Sequence, residues 1–440
     1  MRTAVFTIAS RNYFAHVNTL MQSLESTNPA YDRFVVCVDE LSPDFVALPR
    51  NYELISLEDL ELPEFKKMAF RYTILEFNTA VKPWAIEKLF GKYDRVVYLD
   101  PDIYVYEAFN EINGLFDAGS KFIFTPHLTH LWKEDGLQPD EEYIMRAGVY
   151  NLGFIALAKC DEVLEMVKWW QRKLEYRCVV DIQSGVFVDQ KWMDLVPGLF
   201  RNVAILQHDG YNVAYWNLSH RKCSKSGGKY FFNGQPLVFF HYSGFNINDP
   251  YPISKHQSRF NLDKVGVAKQ LFLDYAEQGK KNSSSVFSTF KYAYNVFEDG
   301  TEIPDSYRYL YRTDANLQRL CGKNPFAAMT VFAKDYRREL LHWLVADLWN
   351  KRVDVREFFR VPGAEYLNWA KNELHLPDDM AHFFPDVASG AKYINTNQRV
   401  EKPDFIEWLK GIRQFISPRL YAFGKSLYHW ARKDGVKVNV

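Results

Sequence analysis

Asp100 and Asp102 stand two residues apart, with Pro101 between them, directly after the compact apolar run Arg95 to Leu99 in the segment RVVYLDPDIYVY. Such a run reads as a buried strand, and carboxylates at its end fall on the open edge of a sheet, where α/β proteins bind their ligands. Hard divalent cations such as Mn2+ and Mg2+ prefer oxygen ligands, and one or two carboxylates with water or phosphate oxygens satisfy them. Asp100 and Asp102 can supply that pair, with Pro101 stiffening the turn, although Asp-Pro-Asp also serves as a plain surface turn or an N-cap. His241 follows a second apolar run, Leu237 to Phe240. A neutral imidazole there would complete a carboxylate-held cation site, or would be a satisfied structural histidine.

These residues need a sheet to hold them. Short apolar runs alternate with helix-length amphipathic stretches through the first part of the chain, the pattern of β-α-β units around a largely parallel sheet. The pattern predicts strands over Ala4 to Ala9, Phe34 to Val38, Arg95 to Leu99, Phe122 to Thr125 and Phe154 to Leu157. It predicts helices around Leu20, Met21 and Leu24, from about Tyr72 to Phe90, and from about Asp161 to Leu174. Near Phe260 the character changes. A helix over Val265 to Ala276 runs into the polar stretch GKKNSSS, Gly279 to Ser285, and most of the remainder reads as helical. Leu340, Leu341, Leu344, Val345 and Leu348 share one helical face, and Pro362, Pro377 and Pro385 punctuate the connections. The expected division is a catalytic domain over 1–262 and a mainly helical C-terminal region over 263–440, which suits a chain too long for one core.

Several ordered segments, spread over Thr3 to Phe260, resemble GT-A glycosyltransferases with a D-x-D motif, and among them retaining family 8. They are the first strand ending in Ala9-Ser10, KPWAIEKLF (Lys82 to Phe90) leading into YDRVVYLDPDIYV, Asn151-Leu152-Gly153-Phe154, Asp189-Gln190, and His241-Tyr242-Ser243-Gly244. The resemblance implies a Rossmann-like, mostly parallel sheet flanked by helices, and transfer of a sugar from a nucleoside-diphosphate sugar, UDP-sugars being favoured, with retention of configuration. It also implies a metal site at Asp100, Asp102 and His241 holding Mn2+ or Mg2+. Ala9, Ser10, Lys82, Asp100, Asn151, Gly153 and Gly244 would bind the donor, and Asp189 and Gln190 would lie at the transferred sugar. A carboxylate and an amide there can stabilise an oxocarbenium-like transition state; the plain alternative is helix capping before Trp192. After Gly244 the chain departs from the family. Its Lys-Pro-Trp is replaced by FNINDPYPISKHQSRF, in which Lys255 is the first candidate to neutralise the diphosphate, with His256 and Arg259 beside it.

The segment DGYNVAYWNLSHR is polar and aromatic beyond what a connection needs. Tyr211, Tyr215 and Trp216 could stack on an acceptor sugar that Asn212 hydrogen-bonds, or could simply pack in the core. Similar Asn-Val-Ala-Tyr-Trp-Asn segments recur in bacterial polysaccharide glycosyltransferases, so the expected acceptor is a carbohydrate or glycolipid of a surface glycan. A nucleotidyltransferase of related fold would carry a glycine-rich loop after its first strand, and Ser10-Arg11-Asn12 has no glycine. A glycan-binding scaffold without turnover is the non-enzymatic alternative.

With 54 basic and 54 acidic residues, no global field draws nucleic acid, so charged ligands must be met locally. Five widely spaced cysteines give neither a disulfide framework nor a zinc site, which fits the cytoplasm. No signal-peptide pattern or spanning apolar stretch is expected. The basic aromatic segment ISPRLYAFGKSLYHWARK would dock on its own protein or lie on the inner face of a membrane.

Overall fold

Strand β1 (Thr3–Ala9) is buried over its whole length, as a strand covered by helices on both faces must be. The computed structural model describes residues 1–132, 135–182, 184–313, 315–328, 331, 349, 353–359 and 364–373. The further strands are β2 (Asp32–Cys37), β3 (Glu53–Ile55), β4 (Arg95–Leu99), β5 (Ile103–Val105), β6 (Phe122–Pro126), β7 (Tyr150–Ala158), β8 (Val203–Ile205) and β9 (Phe239–His241).

Seven of them form the central sheet in the order β8-β6-β7-β4-β1-β2-β3. Pairing is parallel throughout except at β7, which runs antiparallel to both β4 and β6. The chain is thus an α/β protein with a mostly parallel sheet, as the GT-A resemblance implies. Strands β5 and β9 pair with each other beside it, His241 opposite Ile103. A small antiparallel sheet of Cys223–Ser226, Lys229–Phe232 and Gln235–Pro236 precedes β9.

Helix α1 (Phe14–Thr27) shows why one face of the sheet is covered. Phe14, Val17, Leu20, Met21 and Leu24 recur at helical spacing, and all are buried with Val5, Val35, Val97 and Leu99 of the sheet. Each such side chain contributes about 1.5–3 kcal/mol on leaving water.

The stretch from Tyr72 to Phe90 is two helices rather than one. Thr73 and Glu76 form a reciprocal capping box for α2 (Ile74–Ala80), which ends at Val81, and α3 (Lys82–Phe90) restarts with Pro83 in its first turn. Further on come α4 (Asn110–Asp117), α5 (Glu141–Ala147), α6 (Asp161–Arg177) and α7 (Lys269–Lys281). The link between β6 and β7 is closed at its root by the His127 N–H donating to the Val149 carbonyl (2.9 Å).

One compact unit comprises 1–312 and 321–327. Helix α7 belongs to it because Tyr275 hydroxyl meets His16 Nδ1 of α1 (2.8 Å) and Asn282 donates to Thr19 (2.8 Å). Of the polar stretch, Gly279 to Lys281 end this helix and Asn282 caps it. Residues 313–320 and those from 328 onward form a second unit. Within it Val353–Phe359 and Ala364–Glu373 are helical, and Trp349, Val355, Tyr366, Leu367 and Ala370 are buried together. The helical face at 340–348 and the basic aromatic C-terminal segment lie outside the described residues. Among the described residues no helix is long and apolar enough to cross a membrane.

Candidate metal and donor site

The reversal of β7 brings the site together. Because β7 runs against β4, its first residues lie where β4 ends: Leu99 pairs with Phe154, and the Asp100 N–H donates to the Gly153 carbonyl (2.8 Å). The chain then turns through Asp100-Pro101-Asp102 into β5, whose partner β9 ends in His241. The Tyr242 N–H donates to the Asp102 carbonyl (2.9 Å), so the acidic turn and the histidine are held by backbone bonds.

As a result Asp100, Asp102 and His241 each offer a ligand atom, all within 4.8 Å of one another. His241 Nε2 lies 3.1 Å from Asp102 Oδ1 and 3.6 Å from Asp100 Oδ2. The His241 side chain is 3% exposed, Asp102 13% and Asp100 30%, so the cluster opens to solvent on the Asp100 side. Burial pushes both carboxyls toward the neutral form. At Asp102 the adjacent His241 outweighs it and the group ends below its usual range; Asp100, opposed by Lys82 and His241 but repelled by Asp102, ends above it. Burial works against charge on His241 as well, but the two carboxylates prevail and raise it. Two carboxylate oxygens and one imidazole nitrogen, with an open side for water or phosphate oxygens, are a donor set that fits Mn2+ or Mg2+.

Beneath the cluster lies a buried amide network. Asn151 Oδ1 accepts from the Gly153 N–H (3.1 Å) and from Asn212 Nδ2 (3.1 Å), and lies 3.2 Å from His241 Nδ1. Asn212 Oδ1 is 3.3 Å from the same nitrogen, and Asn212 Nδ2 also donates to Thr125 (2.8 Å). On the other side Asn151 Nδ2 is 3.2 Å from His127 Nε2. Gly153 is required by space: a Cβ there would run into the His241 ring and come within 2.8 Å of Asn151 Oδ1.

Lys82 and Asp189 form a buried ion pair beside Asp100, at 1% and 3% side-chain exposure. The Lys82 ammonium also donates to the Leu152 carbonyl (2.9 Å) and sits 4.0 Å from the centre of the Tyr98 ring. Asp189 makes no cap bond to the following turn, so helix capping does not explain it. Burial raises its carboxyl, against the pull of Lys82. Gln190 is committed to the backbone: its Oε1 accepts from the Leu152 N–H (3.0 Å) and its Nε2 donates to the Ala147 carbonyl (2.9 Å). It clamps the start of β7.

Ala9 and Ser10 end β1 at the same sheet edge and are buried. Two residues not anticipated from the sequence join them. Tyr13 stacks on His16 (4.2 Å between ring centres, 19° between planes), and both feel the charge of Asp102. Their spacing of three, just after a strand end, was a readable signal. His127, two residues beyond Thr125 at the end of β6, was readable in the same way as His241. Asp39, just beyond β2, is held by Arg11 (3.1 Å) and by the Ala293 N–H (3.0 Å).

The expected acceptor residues separate. Tyr211 is core: it is 1% exposed, its hydroxyl donates to Glu111 (2.7 Å), and its ring meets Phe239 edge-on, so no face remains for a sugar. Asn212 is fully buried in the amide network. Trp216 stands edge-on to His241 (5.2 Å, 89°) and near His127 (5.2 Å), and its indole N–H has no partner among the described residues. Tyr215 packs against it at 5.0 Å. Gly244 has φ +70, and a Cβ there would meet Ser254 and His256. Its carbonyl accepts from the Lys255 N–H (3.1 Å), and Lys255 is exposed. Arg259 is already engaged, by two bonds to Asp135 (both 2.7 Å) and one to the Pro139 carbonyl, and is not free to meet a diphosphate.

No protein-family model matches the chain. It is similar to YfnD of Bacillus subtilis (strain 168), an uncharacterized protein, at 23% identity over 68% of this chain and 96% of that one. Among solved structures it is similar to a galactosyltransferase, LgtC, crystallised with donor and acceptor sugar analogues. That match has 16% identity and a TM-score of 0.37, and covers 62% of this chain and 95% of the other. It is also similar to the glycosyltransferase GlyE of Streptococcus pneumoniae TIGR4, at 15% identity and a TM-score of 0.38, covering 68% of this chain and 67% of the other.

Proposed function

We propose that the chain is a divalent-cation-dependent glycosyltransferase of the hexosyltransferase class. It would move a sugar from a nucleoside-diphosphate donor, UDP-sugars being favoured, to a hydroxyl of a carbohydrate or glycolipid acceptor. One observation carries the reading: Asp100, Asp102 and His241, far apart in sequence, converge at the C-terminal edge of a parallel sheet with their open side toward solvent. A cation bound there supplies charge neutralisation for a departing diphosphate. The chain's own residues do the rest. Asp100 and Asp102 orient the diphosphate end of the donor, and the end of β1, with Ser10, Tyr13 and His16, borders the space for the base. Lys82 and Asp189 present a buried charged pair on the sugar side of Asp100, and Lys255 is the exposed cation next to Gly244. The retaining outcome and a bacterial surface-glycan acceptor follow from the sequence resemblance.

Incubation with a panel of UDP-, GDP- and CMP-sugars and Mn2+, followed by measurement of nucleotide release, tests the reading. Release with one donor, abolished by chelation and restored by Mn2+, supports it. No cation-dependent turnover of any donor overturns it.

A further inference from the structure

We infer that Asn212 and Asn151 are positioning residues that fix which nitrogen of His241 can take a cation; this rests on the reading of Asp100, Asp102 and His241 as a metal site. The Gly153 N–H can only donate, so the Asn151 atom 3.1 Å from it is the carbonyl oxygen. That oxygen also faces Asn212 Nδ2 at 3.1 Å and His241 Nδ1 at 3.2 Å. An acceptor facing an imidazole nitrogen calls for N–H there, so Nδ1 carries a proton, and Nε2 is the nitrogen left to give its lone pair to a cation in place of a proton. With Asn212 Nδ2 spent on Asn151 and Thr125, its Oδ1 is the second acceptor at Nδ1, 3.3 Å away. On the far side Asn151 Nδ2 donates to His127 Nε2, which leaves the His127 proton on Nδ1, 3.3 Å from the Val149 carbonyl.

Two amides and two imidazoles therefore share one consistent proton assignment, anchored at its ends by the Gly153 N–H and the Val149 carbonyl. Under it the one His241 nitrogen a cation can occupy is Nε2, which faces both carboxylates. The conformation of Asn212 is itself held. Its φ is +49, a left-handed value that asparagine tolerates, and its carbonyl accepts from Asn217 Nδ2 (2.9 Å). With Asn212 fully buried, its amide serves His241 and not a ligand in solution.

The test is the Mn2+ affinity of the wild type, N212G and N212D, read by electron paramagnetic resonance of free Mn2+. Glycine suits the left-handed backbone and removes the amide, so N212G should bind Mn2+ about 10- to 100-fold more weakly. Aspartate keeps an acceptor for the Nδ1 proton although it gives up the donor to Asn151, so N212D should bind Mn2+ more tightly than N212G. If N212G binds like the wild type, or N212D falls as far as N212G, the inference is overturned, because the role is then absent or merely one of packing. Should N212G not fold, H127Q and H127L repeat the comparison one residue along the network. The acceptor-retaining glutamine should bind Mn2+ more tightly than leucine, and equal binding overturns the inference. A wild type that binds no Mn2+ overturns the metal site itself.

Discussion

The ring of His241 lies against the Cα of Gly153, so closely that no other side chain fits at position 153 while the histidine keeps its place beside Asp102. A residue in the middle of a strand is thereby tied to the chemistry at the sheet's edge. Replacing Gly153 by alanine should push His241 out of the cluster. We expect G153A to lose Mn2+ binding and to be destabilised by about 1–3 kcal/mol, the usual cost of overfilling a packed site. Denaturant unfolding and Mn2+ titration on the same sample check both outcomes.

Asp102 to asparagine keeps size and shape but removes a charged ligand. D102N should reduce Mn2+-dependent nucleotide release by at least about 100-fold, beyond the effect of losing a supporting hydrogen bond. Its circular dichroism and melting should stay close to wild type. Normal turnover by D102N would mean that the cation lies elsewhere.

The Lys82–Asp189 pair is buried at both ends, so removing one partner strands the other. K82M should cost about 3–5 kcal/mol of stability. The double variant K82M/D189L, with both charges gone, should recover most of that loss yet still fail to turn over donor. If the double variant is active, the pair is structural only.

Acid should loosen the protein before its carboxylates titrate. Burial holds His16 and His127 down to about 4, against the ordinary 6.5 of a free imidazole. Between those values the unfolded chain binds protons that the folded chain refuses. Stability is therefore full above about 6.5 and falls as the pH drops toward 4. By pH 5 each group should remove roughly 1–2 kcal/mol. Urea midpoints at pH 7 and pH 5 measure the loss, and H127Q should show a smaller one.

The edge of the sheet was legible in the sequence because every functional strand is an apolar run that stops at a polar residue: Ala9 at Ser10, Leu99 at Asp100, Phe240 at His241. Strand direction was not legible, since a buried strand reads the same either way, and the reversal of β7 is what places Asn151 beside His241. Nor was the pairing of Lys82 with Asp189, which depends on how α3 meets the turn after Val188. In the aromatic segment the polar atoms of Tyr211 and Asn212 are satisfied inside the fold, by Glu111 and by other asparagines, which pattern alone does not show. The polar run after Gly279 likewise has a place inside the fold: Lys280 and Lys281 close the last turn of α7, and its C-cap Asn282 bonds Thr19 of α1.

The bond from the His127 N–H to the Val149 carbonyl joins the two ends of the long excursion between β6 and β7. A segment pinned at its neck can lengthen, shorten or change composition without passing strain to the residues on either side. Here a second anchorage, from Arg259 to Asp135 and from the Ser258 N–H to the Gln138 carbonyl, ties the excursion to the segment after Gly244. A rewriting of the excursion that spares the carboxylates, the histidine and their supporting amides must therefore keep both its neck and Asp135.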